Sequence, residues 1–324
     1  MSLTGKRMRS YRKAYVAGAA ILAAASMLLA GCGEAPTAST ASGSSSSTSV
    51  NPDIDVSAYT KIIDSGTTAD SSTVDANTWA AAVKKAGVLK VGGTKTSTLF
   101  SLQSTSDNKV RGFDAGLSQL LAKYIIGKAN TQLTVVDSST RESVLQNGTV
   151  NSVFATYSIT SERKQKVDFA GPYYVSQTGI LVKKSNSDIK SVKDLEGKKV
   201  GVQEGSTGAD IVAKNAPKAS VEQFQTDTEI TQALRQGRID AYVVDESLLL
   251  GDVVKNPNDF KIVGKPFGDK DPYGIGLPKG SDATKFVNAW LKKIEADGTW
   301  AKLWKVTIGD RTGVTDVPTP PTID

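Results

Sequence analysis

The chain has no histidine and a single cysteine, Cys32, among 324 residues. Without imidazole, a Ser-His-Asp triad, a Cys-His pair and a His-ligated zinc are excluded. One cysteine excludes an intrachain disulfide and any CxxC metal or redox site. Acidic residues are absent from the first 31 positions, which hold Lys6, Arg7, Arg9, Arg12 and Lys13. Without those five the formal charge falls from +6 to about +1. Charge therefore gives no ground for nucleic-acid binding.

The rest is ordinary globular material. Hydrophobic residues make up 39% and charged residues 22%, enough for a sizeable core. The length suggests about two domains.

The basic N-terminus is followed by an Ala- and Leu-rich run from about Tyr15 to Ala30. It reads as the h-region of a signal peptide and is shorter than the roughly 20 residues that span a bilayer comfortably. It ends in Leu29-Ala30-Gly31-Cys32, which resembles a bacterial lipobox. The resemblance implies a signal peptide over 1–31, lipidation of Cys32, and anchoring on the extracellular face of the cell membrane. From Gly33 to Val50, ten of 18 residues are Ser or Thr. Such a stretch cannot bury enough apolar surface to fold. A flexible tether over 32–76 is expected, with folded structure beginning near Thr78.

Beyond Thr78, strand patterns alternate with helical ones. Val88–Gly92, Leu133–Val136, Val150–Ala155, Gly179–Val182, Lys199–Val202, Val221–Phe224, Ile239–Val244, Lys261–Val263 and Tyr273–Leu277 read as strands. Phe113, Leu117, Leu120, Leu121, Tyr124 and Ile125 recur at three-and-four spacing and predict an amphipathic helix. Arg141–Gln146, Ala209–Lys214, Glu229–Arg235 and one long helix over Thr284–Lys305 follow. The alternation predicts an α/β class with largely parallel sheets. The strands are too many for one small sheet, so two lobes with a ligand cleft between them are expected.

Several segments carry candidate chemistry. Val200–Gly208, followed by a helix, forms strand, glycine turn and helix N-terminus, where free N–H groups suit an anion. It lacks the P-loop lysine and the dinucleotide spacing, which argues against a nucleotide and leaves a carboxylate as guest. Thr156-Tyr157-Ser158-Ile159-Thr160-Ser161-Glu162-Arg163 sets hydroxyls beside an arginine able to clamp a carboxylate. Asp245 closes an apolar strand at the edge where α/β folds bind ligands, and either pairs with an ammonium or caps the next helix. Lys95 and Arg141 are cations just beyond strand ends; each is equally readable as surface charge.

Taken together, Arg141–Val150, Ala155–Arg163, Val167-Asp168-Phe169-Ala170-Gly171-Pro172-Tyr173-Tyr174, Asp194–Thr207, Gly237-Arg238-Ile239-Asp240-Ala241 and Ala296-Asp297-Gly298-Thr299-Trp300 resemble, in order, the family 3 extracellular solute-binding proteins. These are amino-acid receptors of ABC importers, and the resemblance covers about residues 78–306. It implies a type 2 periplasmic-binding-protein-like fold, two α/β lobes joined by two crossover strands and closing by a hinge. Lobe 1 would be 77–176 plus 273–310, lobe 2 177–272, and 311–324 a loose tail. The resemblance also implies roles. Arg163 would clamp the ligand α-carboxylate, with Thr156 and Ser158 as lobe 1 partners and Ser206 and Thr207 as lobe 2 donors. Asp245 would bind the α-ammonium. Lys95, within Gly93-Thr94-Lys95, and Arg141 would meet a side-chain carboxylate, favouring glutamate or aspartate over glutamine or another polar amino acid. Thr94–Thr98 carries neither acid nor aromatic clamp, which weighs against a cationic or aromatic ligand. Partners would be the amino acid, a membrane permease and the membrane itself through the lipid; no cofactor, no nucleic acid and a monomer are expected. The same fold serves a few dehydratases and lytic enzymes, for which Glu204 or Glu246 would be the acid or base, but no acid stands apart from the binding set.

Overall fold

The computed structural model describes residues 53–323. The signal peptide, Cys32 and the Ser/Thr-rich run lie outside the described residues.

Folded structure begins well before Thr78, which corrects the expected tether over 32–76. Helix α1 (Val56–Ser65) is capped by Asp55, whose carboxylate accepts from the Ala58 N–H at 2.9 Å. Tyr59, Ile62 and Ile63 stand one turn apart on one face and are buried in the main core. Burial of each such side chain is worth about 1.5–3 kcal/mol, which outweighs the polar composition around it. A short α2 (Ser71–Asp75) follows, then α3 (Thr78–Ala86), closed by Gly87 at φ 67°.

The chain then enters β1 (Leu89–Gly93) and a small three-stranded sheet of β2 (Thr96–Ser97), β3 (Ser101–Gln103) and β4 (Val110–Arg111). Next come α4 (Phe113–Ile126), β5 (Thr131–Val135), α5 (Arg141–Gln146), β6 (Ser152–Val153) and α6 (Ser161–Lys166). The 16-residue β7 (Asp168–Lys183) leads to β8 (Lys199–Gln203), α7 (Gly208–Asn215), β9 (Ser220–Phe224) and α8 (Asp227–Gln236). Helix α8 starts with a capping box between Thr226 and Glu229. Then follow β10 (Ala241–Asp245), α9 (Glu246–Lys255), the 18-residue β11 (Phe260–Leu277), α10 (Ala283–Ala296), α11 (Thr299–Trp304) and α12 (Asp310–Thr312). The single long helix expected over Thr284–Lys305 is broken at Gly298, whose φ of 76° ends one helix and starts the next.

Eight strands form one sheet in the order β5-β1-β6-β11-β7-β10-β8-β9. β1 pairs in parallel with β5 and β6, and β8 in parallel with β9 and β10. The two long strands, β7 and β11, lie antiparallel between these groups, from Phe260 opposite Lys183 to Leu277 opposite Asp168. Their register shifts between Val263 and Phe267, between Phe267 and Asp271, and between Tyr273 and Ile275. The fold is thus two-lobed α/β, with β5-β1-β6 in the first lobe, β10-β8-β9 in the second, and two crossover strands between. All four tryptophans, Trp79, Trp290, Trp300 and Trp304, sit in the main core of the first lobe. The second lobe has its own smaller clusters, none of which holds a tryptophan.

The tail differs from the loose terminus expected over 311–324. Arg311 is buried and its Nη1 donates to the Thr98 carbonyl, and Ile323 is buried in the main core. One apolar side chain near the end is enough to dock the segment.

Candidate ligand-binding site

Arg163 lies in α6, whose first turn is fixed by Thr160 Oγ1 accepting from the Arg163 N–H at 3.2 Å. Its guanidinium is buried. Nη1 donates to Ser158 O and Nη2 to Gly205 O, both at 2.9 Å, while Nε stands 3.8 Å from Glu142 Oε1. Ser158 belongs to the first lobe and Gly205 to the second, so this side chain spans the cleft.

Arg141, at the start of α5, is also buried. Its Nη1 donates to Ala155 O at 3.0 Å and Thr156 O at 3.4 Å, and its Nε has no partner. Burial, and next the Arg163 charge, lower its pKa to about 10. Both guanidiniums lie over the Tyr157 ring, at 4.2 and 5.2 Å from its centroid. The ring's negative face offsets part of the cost of holding two cations together.

Thr156 adopts φ 43°, unusual for a residue with a Cβ. Its N–H donates to Asp114 Oδ2 at 2.8 Å, and Asp114 Oδ1 accepts from the Tyr173 hydroxyl at 2.8 Å. Asp114 therefore holds the turn that presents Thr156 to the cleft. Burial pushes its carboxyl up to about 7.

Asp245 ends β10 and occupies the N-cap position of α9, yet its side chain makes no capping hydrogen bond. It is 7% exposed and its Oδ1 has no partner. Burial, reinforced by the neighbouring Asp271 carboxyl, pushes it well above the usual carboxylate range. Of the two readings of this residue, capping is the one its geometry does not perform. Asp271, in crossover strand β11, accepts from Ser158 Oγ at 2.9 Å. The Ser158 hydroxyl is therefore committed within the protein.

Ser206 directs both its N–H (3.1 Å) and its hydroxyl (2.6 Å) to Gln203 O. This arrangement builds the turn before α7 and does not aim the hydroxyl at a guest. Thr207 is the N-cap residue of α7 and half-buried.

Seven of the eight candidate residues line one small cavity of about 20 Å³: Arg141, Thr156, Ser158, Arg163, Ser206, Thr207 and Asp245. Lys95 lines an adjoining cavity of about 480 Å³. Ser138, Arg141, Thr156, Gln203 and Leu248 line both, so the two are parts of one cleft. Three acids also face the larger part: Asp137, Asp227 and Asp252.

The lobes touch around this cleft. Ser138 Oγ donates to Gln203 Oε1 at 3.2 Å, and Gln225 Nε2 to Asp137 Oδ2 at 3.4 Å. Gly205 has φ 71°, and a Cβ there would stand 2.8 Å from Ser139 Cα. The arrangement is that of a closed cleft.

Sequence reasoning missed Tyr157, Glu142, Asp114 and Asp271. Tyr157 offered a signal, since it sits inside the hydroxyl run that pointed to Arg163. Asp271 offered none: Gly268-Asp269-Lys270-Asp271 reads as an exposed turn, and only the crossover pairing buries it. No helix among the described residues is long and apolar enough to cross a membrane.

A two-lobed α/β sheet crossed by two strands, with buried polar side chains of both lobes facing one cleft, defines the fold of a solute-binding protein. Residues 89–309 match the family model of bacterial extracellular solute-binding proteins, family 3, and the chain belongs to that family. It is 41% identical over 219 residues to the ABC transporter glutamine-binding protein GlnH of Bacillus subtilis, covering 66% of this chain and 79% of that one. It is 37% identical over 220 residues to the L-cystine-binding protein TcyJ of Escherichia coli K12, covering 67% and 81%. A solved structure of an ancestral arginine-binding protein bound to glutamine superposes with a TM-score of 0.64 at 39% identity, covering 69% of this chain and 98% of that one. The chain is therefore the substrate-binding component of an ABC amino-acid importer, and it is not an enzyme.

Proposed function

We propose that the chain captures a polar amino acid by its α-groups, with Arg163 receiving the carboxylate and Asp245 the ammonium. The observation that carries this is a buried guanidinium from one lobe and a buried carboxyl from the other lining one small cavity. Arg163 uses two of its five N–H donors in hydrogen bonds and Asp245 leaves Oδ1 unpartnered. Only a closed cleft brings them to one guest, so binding free energy goes into closure, and the permease reads the closed form. Thr207, at the α7 N-terminus, would add a donor to the carboxylate.

For the side chain, L-glutamine fits the balance of charge in the larger cavity. Lys95 and Arg141 can donate to an amide oxygen, while Asp137, Asp227 and Asp252 can accept from an amide N–H. The relatives support the same reading, since GlnH binds glutamine. L-glutamate, with aspartate behind it, is the second reading and rests on Lys95 and Arg141 alone. Calorimetric titration of L-glutamine, L-glutamate, L-aspartate and L-lysine separates them. Glutamine should bind more tightly than glutamate, and Arg141→Ala should widen the difference. Arg163→Ala and Asp245→Ala should each abolish measurable binding of every amino acid. Retained binding in either variant would refute the α-group assignment.

The lobes act within one chain, and a monomer anchored outside the cell by a lipid on Cys32 completes the proposal. Metabolic labelling with a fatty acid should mark the full-length chain, and Cys32→Ser should lose the label and release the protein from membranes.

A further inference from the structure

Described segments on both sides of the family match over 89–309 are built into the first lobe. Tyr59, Ile62 and Val74 ahead of the match and Ile323 behind it are buried in the main core. Between the last matched residue and Ile323 stands Arg311, in α12, which Gly313 closes at φ 77°. Arg311 is 4% exposed, and its Nη1 donates to the Thr98 carbonyl. Thr98 is itself buried, and all five residues of Thr94–Thr98 line the larger part of the cleft. The other end of this loop is tied within the hairpin: Ser101 Oγ donates to Thr94 O at 2.7 Å and the Gln103 N–H to Lys95 O at 3.0 Å. At Thr98, where the chain leaves β2, the tie comes from the tail. Thr98 also meets α9, since a Cβ on Gly251 would stand 3.2 Å from its Cβ. A buried guanidinium is costly unless it is paired. The acid whose charge offsets that cost is Asp53, just ahead of α1, so both flanking segments meet at this one side chain.

We infer that Arg311 is a positioning residue for ligand binding: by holding the Thr98 carbonyl it fixes the first-lobe wall that meets the ligand side chain, and Asp53 holds the guanidinium in place. Arg311 lines neither part of the cleft and acts only through Thr98. A charge-assisted hydrogen bond is among the stronger ties available to a loop carbonyl. A wall held in one conformation before the guest arrives binds better, because no binding free energy goes into ordering it. Thr94–Thr98 line only the larger cavity, so the brace bears on the side-chain end and leaves Arg163 and Asp245 as they are. Selectivity in this chain then depends on residues outside the family match. The inference rests on the reading that the larger cavity receives the ligand side chain, and it names what fixes one wall of that cavity.

The test combines calorimetric titration of the full chain with amide hydrogen exchange in the empty protein. The ligands are L-glutamine, L-glutamate and L-aspartate, and the variants are Arg311→Met, Arg311→Lys and Asp53→Asn. Arg311→Met should lower the affinity for the tightest of the three by about tenfold or more, and Asp53→Asn by about threefold. Arg311→Lys still offers a charged donor to the Thr98 carbonyl and should recover most of the loss. Exchange should quicken over residues 94–103 in Arg311→Met and stay unchanged in α10, within the core of the same lobe. A merely structural role would quicken both and leave the affinity of the folded protein alone. A melting curve checks that each variant folds. Should Arg311→Met fail to fold, Asp53→Asn, altered at an exposed residue, must show the smaller affinity loss and quicker exchange over 94–103, or the inference fails. Unchanged affinity in a folded Arg311→Met overturns this inference alone, as does a loss without faster exchange over 94–103. If the unaltered chain binds none of the three amino acids, the reading of the cavity falls, and this inference with it.

Discussion

Asp114 lines neither part of the cleft, yet it fixes the Thr156 backbone that does. Its ordinary pKa is near 4, and burial raises it to about 7, although the Tyr173 hydroxyl and Thr156 N–H pull the other way. Between those values the folded protein keeps a proton that the unfolded chain has lost. The folded state then binds more protons, so stability falls as pH rises through this window. Asp114→Asn should flatten the fall in melting temperature between pH 4 and pH 7, because the group no longer ionises. A slope unchanged by the substitution would assign the dependence to other buried acids, such as Asp245 and Asp252, which shift in the same direction. At this scale the sequence was informative where chemistry coincides with strand ends. Arg141, Thr156, Arg163 and Asp245 all follow apolar strands, and that rule found them. The roles of Ser158 and Ser206 were less legible, because hydroxyls bond to whatever lies nearest. In the fold those partners are Asp271 and Gln203.

Among the elements, the turn between β8 and α7 is where the backbones of the two lobes meet closely. Gly205 is left-handed and packs against the Ser139 backbone of the other lobe, which cannot move aside as a side-chain tip could. Gly205→Ala carries a conformational cost of about 1–2 kcal/mol in either form, and in the closed form it adds a clash. Amino-acid affinity should fall at least tenfold while the melting temperature of the empty protein falls by only a few degrees. Equal affinity in calorimetry would mean that the lobes close without this contact. Elements with a strong period were legible: α4 and α5 begin where the sequence places them. α1 was missed because three apolar residues in a polar stretch make a weak signal, and its stability comes from docking. β7 and β11 read as fragments because Gly171-Pro172 in the first, and Gly264-Lys265-Pro266 and Gly268-Asp269 in the second, look like turns. Pairing between two distant segments overrides that local signal.

For the whole molecule, two lobes were legible from the count of strands, and their closing motion from family resemblance. Neither could come from periodicity, because a hinge belongs to the relation between segments. The crossover strands carry the register shifts. The distribution of aromatic residues then decides how such a motion can be observed. All four indoles are sealed in the core of the first lobe, around α3, α10 and α11, and the second lobe has none. Intrinsic tryptophan emission should therefore stay almost silent when the cleft closes, however tightly the guest is held. It should report instead on the melting of the first lobe. An optical assay of capture needs a reporter placed on the second lobe, and a flat native signal on adding an amino acid is no sign that nothing has bound.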